Sequence, residues 1–211
     1  MTADAFMVMV SERVAASFTS SKQEGRLVCY DLVRDRGMAV VPSDPSVIVS
    51  TTNYVFPLHT DSCCLEKPAD VVVLYCVTNA SEGGESLLAN VNDIIPLLPE
   101  DYVDFLLNRR YDINMRPFVL LEKVEGTYHI RLQLGDMLAF CRPDEKEQMQ
   151  EELKMLIDVL ADPANFITVK LKPDECLIVN NRTCLHGRYS FEDGSKREFL
   201  RSRSYLIPDI N

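Results

Sequence analysis

The stretch at residues 71–77 constrains the fold more than any other part of this sequence. It reads Val-Val-Val-Leu-Tyr-Cys-Val, a continuous run rich in β-branched residues with no polar alternation. Such runs are typical of a strand that is buried on both faces. We therefore predict that this strand lies at the centre of a sheet.

Shorter runs of similar composition recur along the chain, separated by Gly, Pro, Asp, Asn or Ser. They predict strands at residues 27–33, 38–41, 46–49, 85–90, 118–124, 127–132, 166–171, 175–179 and 198–207. Residues 1–25 are ambiguous, since 6–10 could form a strand and 12–18 helical turns. The pattern of many short strands predicts a mainly β fold, either a barrel or a sandwich.

One long helix is predicted over residues 144–160. Its apolar residues recur at steps of three and four, which places them on one face: Met149, Leu153, Leu156, Ile157 and Leu160. Two short helical segments fit residues 94–98 and 102–109, on either side of Pro99. We expect these helices to brace the sheet within a single domain covering residues 1–211, because no repeat or linker interrupts the chain.

Charge and cysteine content limit the function classes. The chain has 32 acidic and 22 basic residues, a formal charge of −10, which disfavours binding to nucleic acid or to an anionic membrane. The sequence contains no run of about 18 apolar residues, so we predict no membrane span. The N-terminus also lacks the charged start and apolar block of a signal peptide. Seven cysteines, an odd number without a Cys-x-x-Cys pair, favour a reduced, cytoplasmic setting.

A candidate metal site begins at His59 and Asp61. The two side chains are two residues apart on an extended segment, so they point to the same side. Two histidines and one carboxylate on one face form the metal site of non-haem Fe(II) oxygenases. Of the two remaining histidines, His186 follows an apolar run at a predicted strand end and is a better third ligand than His129, which we expect in the core or on the surface.

The His-x-Asp pair alone is a weak signal, because strand histidines are more often hydrogen-bonded core or surface residues. A row of arginines near the C-terminus adds to it. Arg197, Phe199 and Arg201 alternate along a predicted strand and so share one face. Guanidinium groups aimed at a barrel interior are costly without carboxylate partners. The alternation also fits a face that is simply solvated, and both interpretations stay open at this point.

Taken in order, these features resemble the taurine dioxygenase/TfdA-like family of Fe(II)/2-oxoglutarate-dependent oxygenases, within the clavaminate synthase-like superfamily. After His59 comes a Gly-Gly-Glu-Ser element whose Ser86 lies 27 residues on, and His186 lies 127 residues on. Arg197 and Arg201 follow His186 by 11 and 15 residues, a recurrent spacing in the family. The resemblance covers about residues 53–206.

The resemblance implies a double-stranded β-helix, or jelly-roll, core and a set of roles for these residues. His59, Asp61 and His186 would bind Fe(II), leaving open positions for 2-oxoglutarate and dioxygen. Arg197 would pair with the distant carboxylate of 2-oxoglutarate, to which the Ser86 hydroxyl would add a hydrogen bond. Arg201 would hold an anionic group of the substrate or support the cosubstrate.

The implied activity is hydroxylation of an unactivated C–H bond in a small polar molecule, one that bears a carboxylate, such as an amino acid. A desaturase or another oxidative tailoring enzyme would use the same triad, and a non-catalytic jelly-roll sensor or scaffold would keep the fold without turnover. A zinc hydrolase would leave Arg197 and Ser86 unexplained. Asp61 disfavours a halogenase, in which a small residue replaces the carboxylate. The sequence leaves the substrate and the oligomeric state undefined.

Overall fold

The computed structural model describes residues 30–35 and 50–206 completely, Met7, and the backbone alone at 15–17, 21–23, 26–28 and 49. Within that part of the chain the strands, numbered in order, are β1 (Ala15–Ser17), β2 (Ser21–Gln23), β3 (Arg26–Val28), β4 (Asp31–Arg34), β5 (Phe56–His59), β6 (Val71–Thr78), β7 (Ser86–Asn90), β8 (Arg110–Ile113), β9 (Arg116–Val119), β10 (Leu121–Val124), β11 (Thr127–Ile130), β12 (Ile167–Val169), β13 (Cys176–Asn180), β14 (Cys184–Arg188) and β15 (Glu198–Leu206). The helices are α1 (Val91–Ile94), α2 (Glu100–Asn108), α3 (Leu134–Phe140) and α4 (Lys146–Ala161).

Two antiparallel sheets form the framework. The larger has the order β1-β15-β6-β13, with β4 also paired to β15, and the smaller has the order β12-β7-β14-β5. β6 lies between β15 and β13, which confirms the prediction that the apolar run forms a central strand. The two sheets enclose a cavity between them, and this is the predicted jelly-roll arrangement.

A layer of helices packs against the outer face of the smaller sheet. Leu87 and Leu185 from that sheet join Leu106, Leu153 and Leu156 from α2 and α4 in the largest buried apolar cluster. The helix predicted at 144–160 is confirmed as α4, which buries the apolar face that its spacing defined. Burial of that face removes apolar area from water and leaves the inner face of the sheet to carry polar side chains.

Several predicted elements differ in detail from the structure. The run at 118–124 divides into β9 and β10, because Leu120 turns into the core between two separate hairpins. The run at 27–33 likewise divides into β3 and β4. The alternative of helical turns at 12–18 is wrong over Ala15–Ser17, which pairs with the end of β15.

Other predictions fall on residues outside those that the structure describes. The strand expected at 38–41 is among them, and so are most of residues 1–25. The assignment of residues 1–211 to a single domain stays a prediction for the same reason. Among the described residues, no helix is both long and apolar enough to cross a membrane.

Candidate metal centre

Three buried side chains converge at one end of the cavity between the sheets. His59, Asp61 and His186 each offer one ligand atom, and these atoms lie within 4.8 Å of one another. His59 Nε2 is 3.4 Å and His186 Nε2 is 3.7 Å from the same oxygen of Asp61, Oδ1. The three residues are 4%, 6% and 4% exposed. Two imidazoles and a carboxylate in this arrangement could hold a divalent metal ion.

The pairing of β5 with β14 brings the two histidines together. His186 lies directly opposite His59, whereas Arg188 lies opposite Phe56, so two steps along β14 correspond to three along β5. The extra residue is a β-bulge, which turns His59 as well as Phe56 towards the cavity. Gly187 permits the close approach, because a Cβ atom there would lie 2.7 Å from the Phe56 carbonyl oxygen.

Asp61 does not share a strand with His59, which corrects the expectation of one extended segment. β5 ends at His59, and Asp61 begins the turn that follows. Thr60 holds this exit from the strand: its N–H donates to the Leu132 carbonyl at 2.6 Å, and its Oγ1 accepts from the Leu132 N–H at 3.0 Å. The two side chains still point to the same place, but tertiary hydrogen bonds fix that orientation.

Hydrogen bonding orients His59, and burial and charge shift the pKa values of His186 and Asp61. His59 Nδ1 lies 2.8 Å from the Pro57 carbonyl oxygen and donates to it, which directs Nε2 towards Asp61. Burial, reinforced by the neighbouring His59, lowers the pKa of His186 to about 3. Burial acts to raise the pKa of Asp61, but the nearby Arg201 charge outweighs it and holds that pKa well below its usual range.

Buried polar atoms at this centre lack hydrogen-bond partners. They include His59 Nε2, an imidazole nitrogen of the kind that coordinates metals, whereas Asp61 Oδ2 is paired with the Arg201 charge. An unpartnered buried polar group costs about 1–3 kcal/mol, and a bound divalent cation would remove that cost. The donor set therefore fits a metal ion better than it fits a hydrogen-bonded core cluster.

The cavity beside the triad is partly open to solvent. Both sheets line it, and its walls combine apolar side chains with three arginines: Val33, Ser50, Phe56, Leu74, Ser86, Arg188, Arg197, Phe199 and Arg201. Phe199 and Arg201 on β15, and Arg197 immediately before the strand, thus face inward, so the alternative of a solvated face is wrong for these three residues. Apolar walls with a few convergent polar groups are typical of small-molecule sites.

Arg197 is a buried cation without a carboxylate partner among the described residues. It is 5% exposed, and its guanidinium lies 3.9 Å from the centre of the Phe199 ring. Burial, together with repulsion from Arg188, lowers its pKa to about 9. A Cβ atom at Gly84 would lie 3.3 Å from Arg197 Nε, so the second glycine of the Gly-Gly element leaves room for this side chain. An unpaired guanidinium in such a site favours an anionic ligand.

Arg188 is a cavity residue that sequence reasoning missed. It follows His186 by two positions on β14, so strand alternation could have found it. Its Nη2 donates to the carbonyl oxygens of Thr52 and Tyr54 at 2.7 Å and 2.6 Å, and its guanidinium lies 4.9 Å from the Phe191 ring centre. Burial lowers its pKa to about 10. The cavity thus has a second buried cation close to Arg197.

The remaining predicted residues differ in their surroundings. Ser86 is buried on the cavity wall, opposite Arg188 in the ladder between β7 and β14. Arg201 already has acidic neighbours, because its Nη1 lies 3.2 Å from Asp61 Oδ2 and its Nη2 lies 3.9 Å from Asp31 Oδ2. His129 is half-buried on the β10–β11 hairpin and is not one of the cavity-lining residues.

A jelly roll whose cavity ends in a buried His-Asp-His set has the fold and the candidate ligands of the 2-His-1-carboxylate class. The chain belongs to the taurine catabolism dioxygenase TauD, TfdA family, whose family model matches residues 30–203. This finding confirms the resemblance that the motif spacing indicates.

Three known proteins illustrate the relationship. A uridine-5'-phosphate dioxygenase from Streptomyces sp is 32% identical over 164 residues, which cover 69% of this chain and 59% of that protein. The crystal structure of asparagine oxygenase matches with a TM-score of 0.66 at 23% identity, covering 85% of this chain and 56% of its own. The non-haem iron oxygenase OrfP, in complex with Fe and alpha-ketoglutaric acid, matches with a TM-score of 0.68 at 16% identity, covering 95% and 63%.

The two structural matches establish the fold of the chain. All three relatives are longer than the region they share with it, which spans between 56% and 63% of their length.

Proposed function

We propose that the chain is an Fe(II)- and 2-oxoglutarate-dependent dioxygenase. It hydroxylates an unactivated C–H bond of a small polar, carboxylate-bearing metabolite such as an amino acid. One observation carries the proposal: a buried His-Asp-His set and an unpaired buried arginine line the same small cavity. A cation site next to an anion site is what a metal-chelating dicarboxylate requires.

His59, Asp61 and His186 would hold the iron. The fit rests on the buried, unpartnered His59 Nε2 and on the low pKa of the Asp61 carboxyl, which keeps this ligand ionised. When bound, Fe(II) with 2-oxoglutarate and dioxygen supplies the oxidising power, through decarboxylation of 2-oxoglutarate to succinate and carbon dioxide.

The other end of the cavity would hold the distant carboxylate of 2-oxoglutarate. Arg197 offers a fork of donors that matches a carboxylate in bidentate fashion. Ser86 adds a hydroxyl donor on the same wall, and Arg188 adds positive charge. Apolar side chains such as Phe199 and Leu74 surround these groups and exclude water, which strengthens the charge pairing.

Arg201 has a different role in this proposal from that of Arg197. Its contact with Asp61 stabilises the ionised carboxylate, so its charge is partly neutralised before any ligand binds. It would still add positive potential where an anionic group of the cosubstrate or the substrate approaches the metal end. The arginine-lined cavity, in a chain of net charge −10, favours small anionic or zwitterionic substrates.

The names of the relatives support this substrate class. They include a uridine-5'-phosphate dioxygenase, a gamma-butyrobetaine dioxygenase and an asparagine oxygenase. We propose an amino acid or a similarly charged metabolite as the substrate of this chain, and a cytoplasmic setting. The free thiols of six described cysteines support the latter.

Turnover tests the proposal directly. The protein, Fe(II) and 2-oxoglutarate are incubated in air with a panel of amino acids, and succinate and products are followed by mass spectrometry. We expect substrate-dependent succinate and a product heavier by one oxygen atom. A product lighter by two hydrogen atoms would indicate the desaturase alternative. Iron-loaded, folded protein that forms no succinate with any substrate would favour the non-catalytic sensor or scaffold.

A further inference from the structure

Asn181 makes an unusual set of hydrogen bonds to the loop that carries Asp61. It lies in the turn between β13 and β14 and is 1% exposed. Its Oδ1 accepts from the Asp61 N–H at 2.8 Å, and its Nδ2 donates to the Asp61 carbonyl at 2.9 Å. Nδ2 also donates to the Ala69 carbonyl at 2.9 Å. One side chain therefore satisfies both backbone polar groups of Asp61.

This contact replaces a missing strand partner. Asp61 lies beyond the end of β5, so its backbone has no place in the ladder that holds His59. The Asn181 amide supplies an acceptor and a donor side by side, as a neighbouring strand would. Leu132 forms hydrogen bonds with the preceding residue, Thr60. These bonds fix the start of the loop but do not hold Asp61 itself.

The same turn leads directly into the strand that carries the other histidine. The Asn181 N–H donates to the Asp70 carbonyl at 2.8 Å, and β14 begins three residues later with His186 at its centre. The loop with the carboxylate and the strand with His186 thus meet at one buried amide.

The chemistry of the contact requires a primary amide. An aspartate in the same place would keep the acceptor for the Asp61 N–H, but its oxygens would face the carbonyls of Asp61 and Ala69 without a proton to share. A serine can make one hydrogen bond of the three. Buried carbonyls that lose their donor cost about 1–3 kcal/mol each, and the loop shifts to find water.

We infer that Asn181 is a positioning residue of the metal centre: it does not touch the metal, and it sets the Asp61 carboxylate at the place where the two histidines can share a cation with it. This inference rests on the proposed function, since it assumes that the triad binds a metal. Its hydrogen bonds reach the ligand through the backbone.

The test compares Asn181→Asp with Asn180→Asp in the full chain. Asn180 is the adjacent residue and is exposed, and its Oδ1 accepts from the nearby Arg182 N–H, a bond that aspartate keeps. The two variants carry the same added charge at adjacent positions. Mn(II) affinity is measured by equilibrium dialysis without 2-oxoglutarate, well below the melting temperature of each protein, and circular dichroism verifies folding.

We expect Asn181→Asp to weaken Mn(II) binding by about 10–100-fold, the usual effect of losing an outer-shell partner, and Asn180→Asp to leave it unchanged. If Asn181→Asp does not fold, Asn181→Ser, which adds no charge and no volume, carries the test with the same expectation. A purely structural role would lower the melting temperature while folded protein kept the wild-type affinity, and that result would overturn the inference. An equal loss in Asn180→Asp would overturn it too. Absence of Mn(II) binding by the wild type would instead contradict the proposed metal site itself.

Discussion

The two ends of the cavity differ in how their charged side chains are paired. At the metal end, the Asp61 carboxylate has Arg201 at 3.2 Å, and the centre still has buried lone-pair atoms without partners. At the other end, Arg197 and Arg188 are both buried; Arg197 has no carboxylate partner among the described residues, and Arg188 has only the electrostatic influence of Asp35. One end is suited to a cation and the other to an anion. The difference explains how one ligand with a chelating end and a carboxylate end can fill both.

Removal of the metal-end carboxylate should have the largest effect. Asp61→Ala deletes one of three ligands and leaves Arg201 next to two imidazoles, so we expect succinate formation to fall below detection and metal affinity to drop by at least about 100-fold. Asp158→Ala removes an exposed carboxylate from α4 and is the control. Metal binding by Asp61→Ala with wild-type affinity would show that the metal site does not include Asp61.

Truncation of Arg197 should weaken 2-oxoglutarate binding without changing metal binding. We expect Arg197→Ala to weaken 2-oxoglutarate binding by about 2–4 kcal/mol, which is roughly 30-fold to 1,000-fold, because a buried charge-assisted pair is lost. Mn(II) affinity measured without 2-oxoglutarate should stay unchanged. Unchanged 2-oxoglutarate affinity would show that Arg197 does not bind the distant carboxylate.

The stability of the ligand-free protein should distinguish Arg197, immediately before β15, from Arg201 within that strand. Arg197→Leu removes an unpaired buried charge, so we expect the free energy of unfolding to rise by about 1–3 kcal/mol. Arg201→Leu leaves Asp61 without its cationic neighbour, so we expect a fall of about 3 kcal/mol. Urea denaturation without metal or cosubstrate measures both. If both substitutions changed the free energy of unfolding in the same direction, the proposed difference in charge pairing between the two ends would be wrong.

A smaller effect is expected where the strands carrying the two histidines meet. Gly187→Ala places a methyl group 2.7 Å from the Phe56 carbonyl oxygen and should cost about 1–3 kcal/mol of stability, together with some loss of metal affinity. Gly135→Ala is a suitable control, because the atoms nearest to its new methyl group on α3 belong to the flexible Gln133 side chain rather than to backbone. Unimpaired metal binding in Gly187→Ala would mean that the bulge tolerates a wider strand separation.

Much of the fold could be predicted from local patterns. The burial of β6 and α4 could be predicted from the sequence alone. β6 is a continuous apolar run, and the apolar residues of α4 recur with the period of a helix. α3 was missed because its seven residues are too few to show a period and include Gly135. The division at Leu120 was missed because a bend inside an apolar run leaves the composition unchanged.

The candidate site was predictable to a similar degree. The spacing of His59, Asp61 and His186 carries a family pattern, whereas the bulge in β5 depends on pairing with a strand far along the chain. Arg188 had a visible signal, its alternation with His186, which was not used. Asn181 had none, because it binds the backbone of a residue 120 positions away and such a contact leaves no pattern in either segment.

The central claim is that both ends of the cavity bind one molecule of 2-oxoglutarate through the metal and Arg197. Anaerobic titration of the Fe(II)-loaded protein with 2-oxoglutarate, followed by visible absorption, tests it most directly. The account predicts a charge-transfer band that saturates in the wild type, needs far more 2-oxoglutarate in Arg197→Ala, and is absent in Asp61→Ala. Fully loaded wild-type protein that gives no band at saturating 2-oxoglutarate would contradict it.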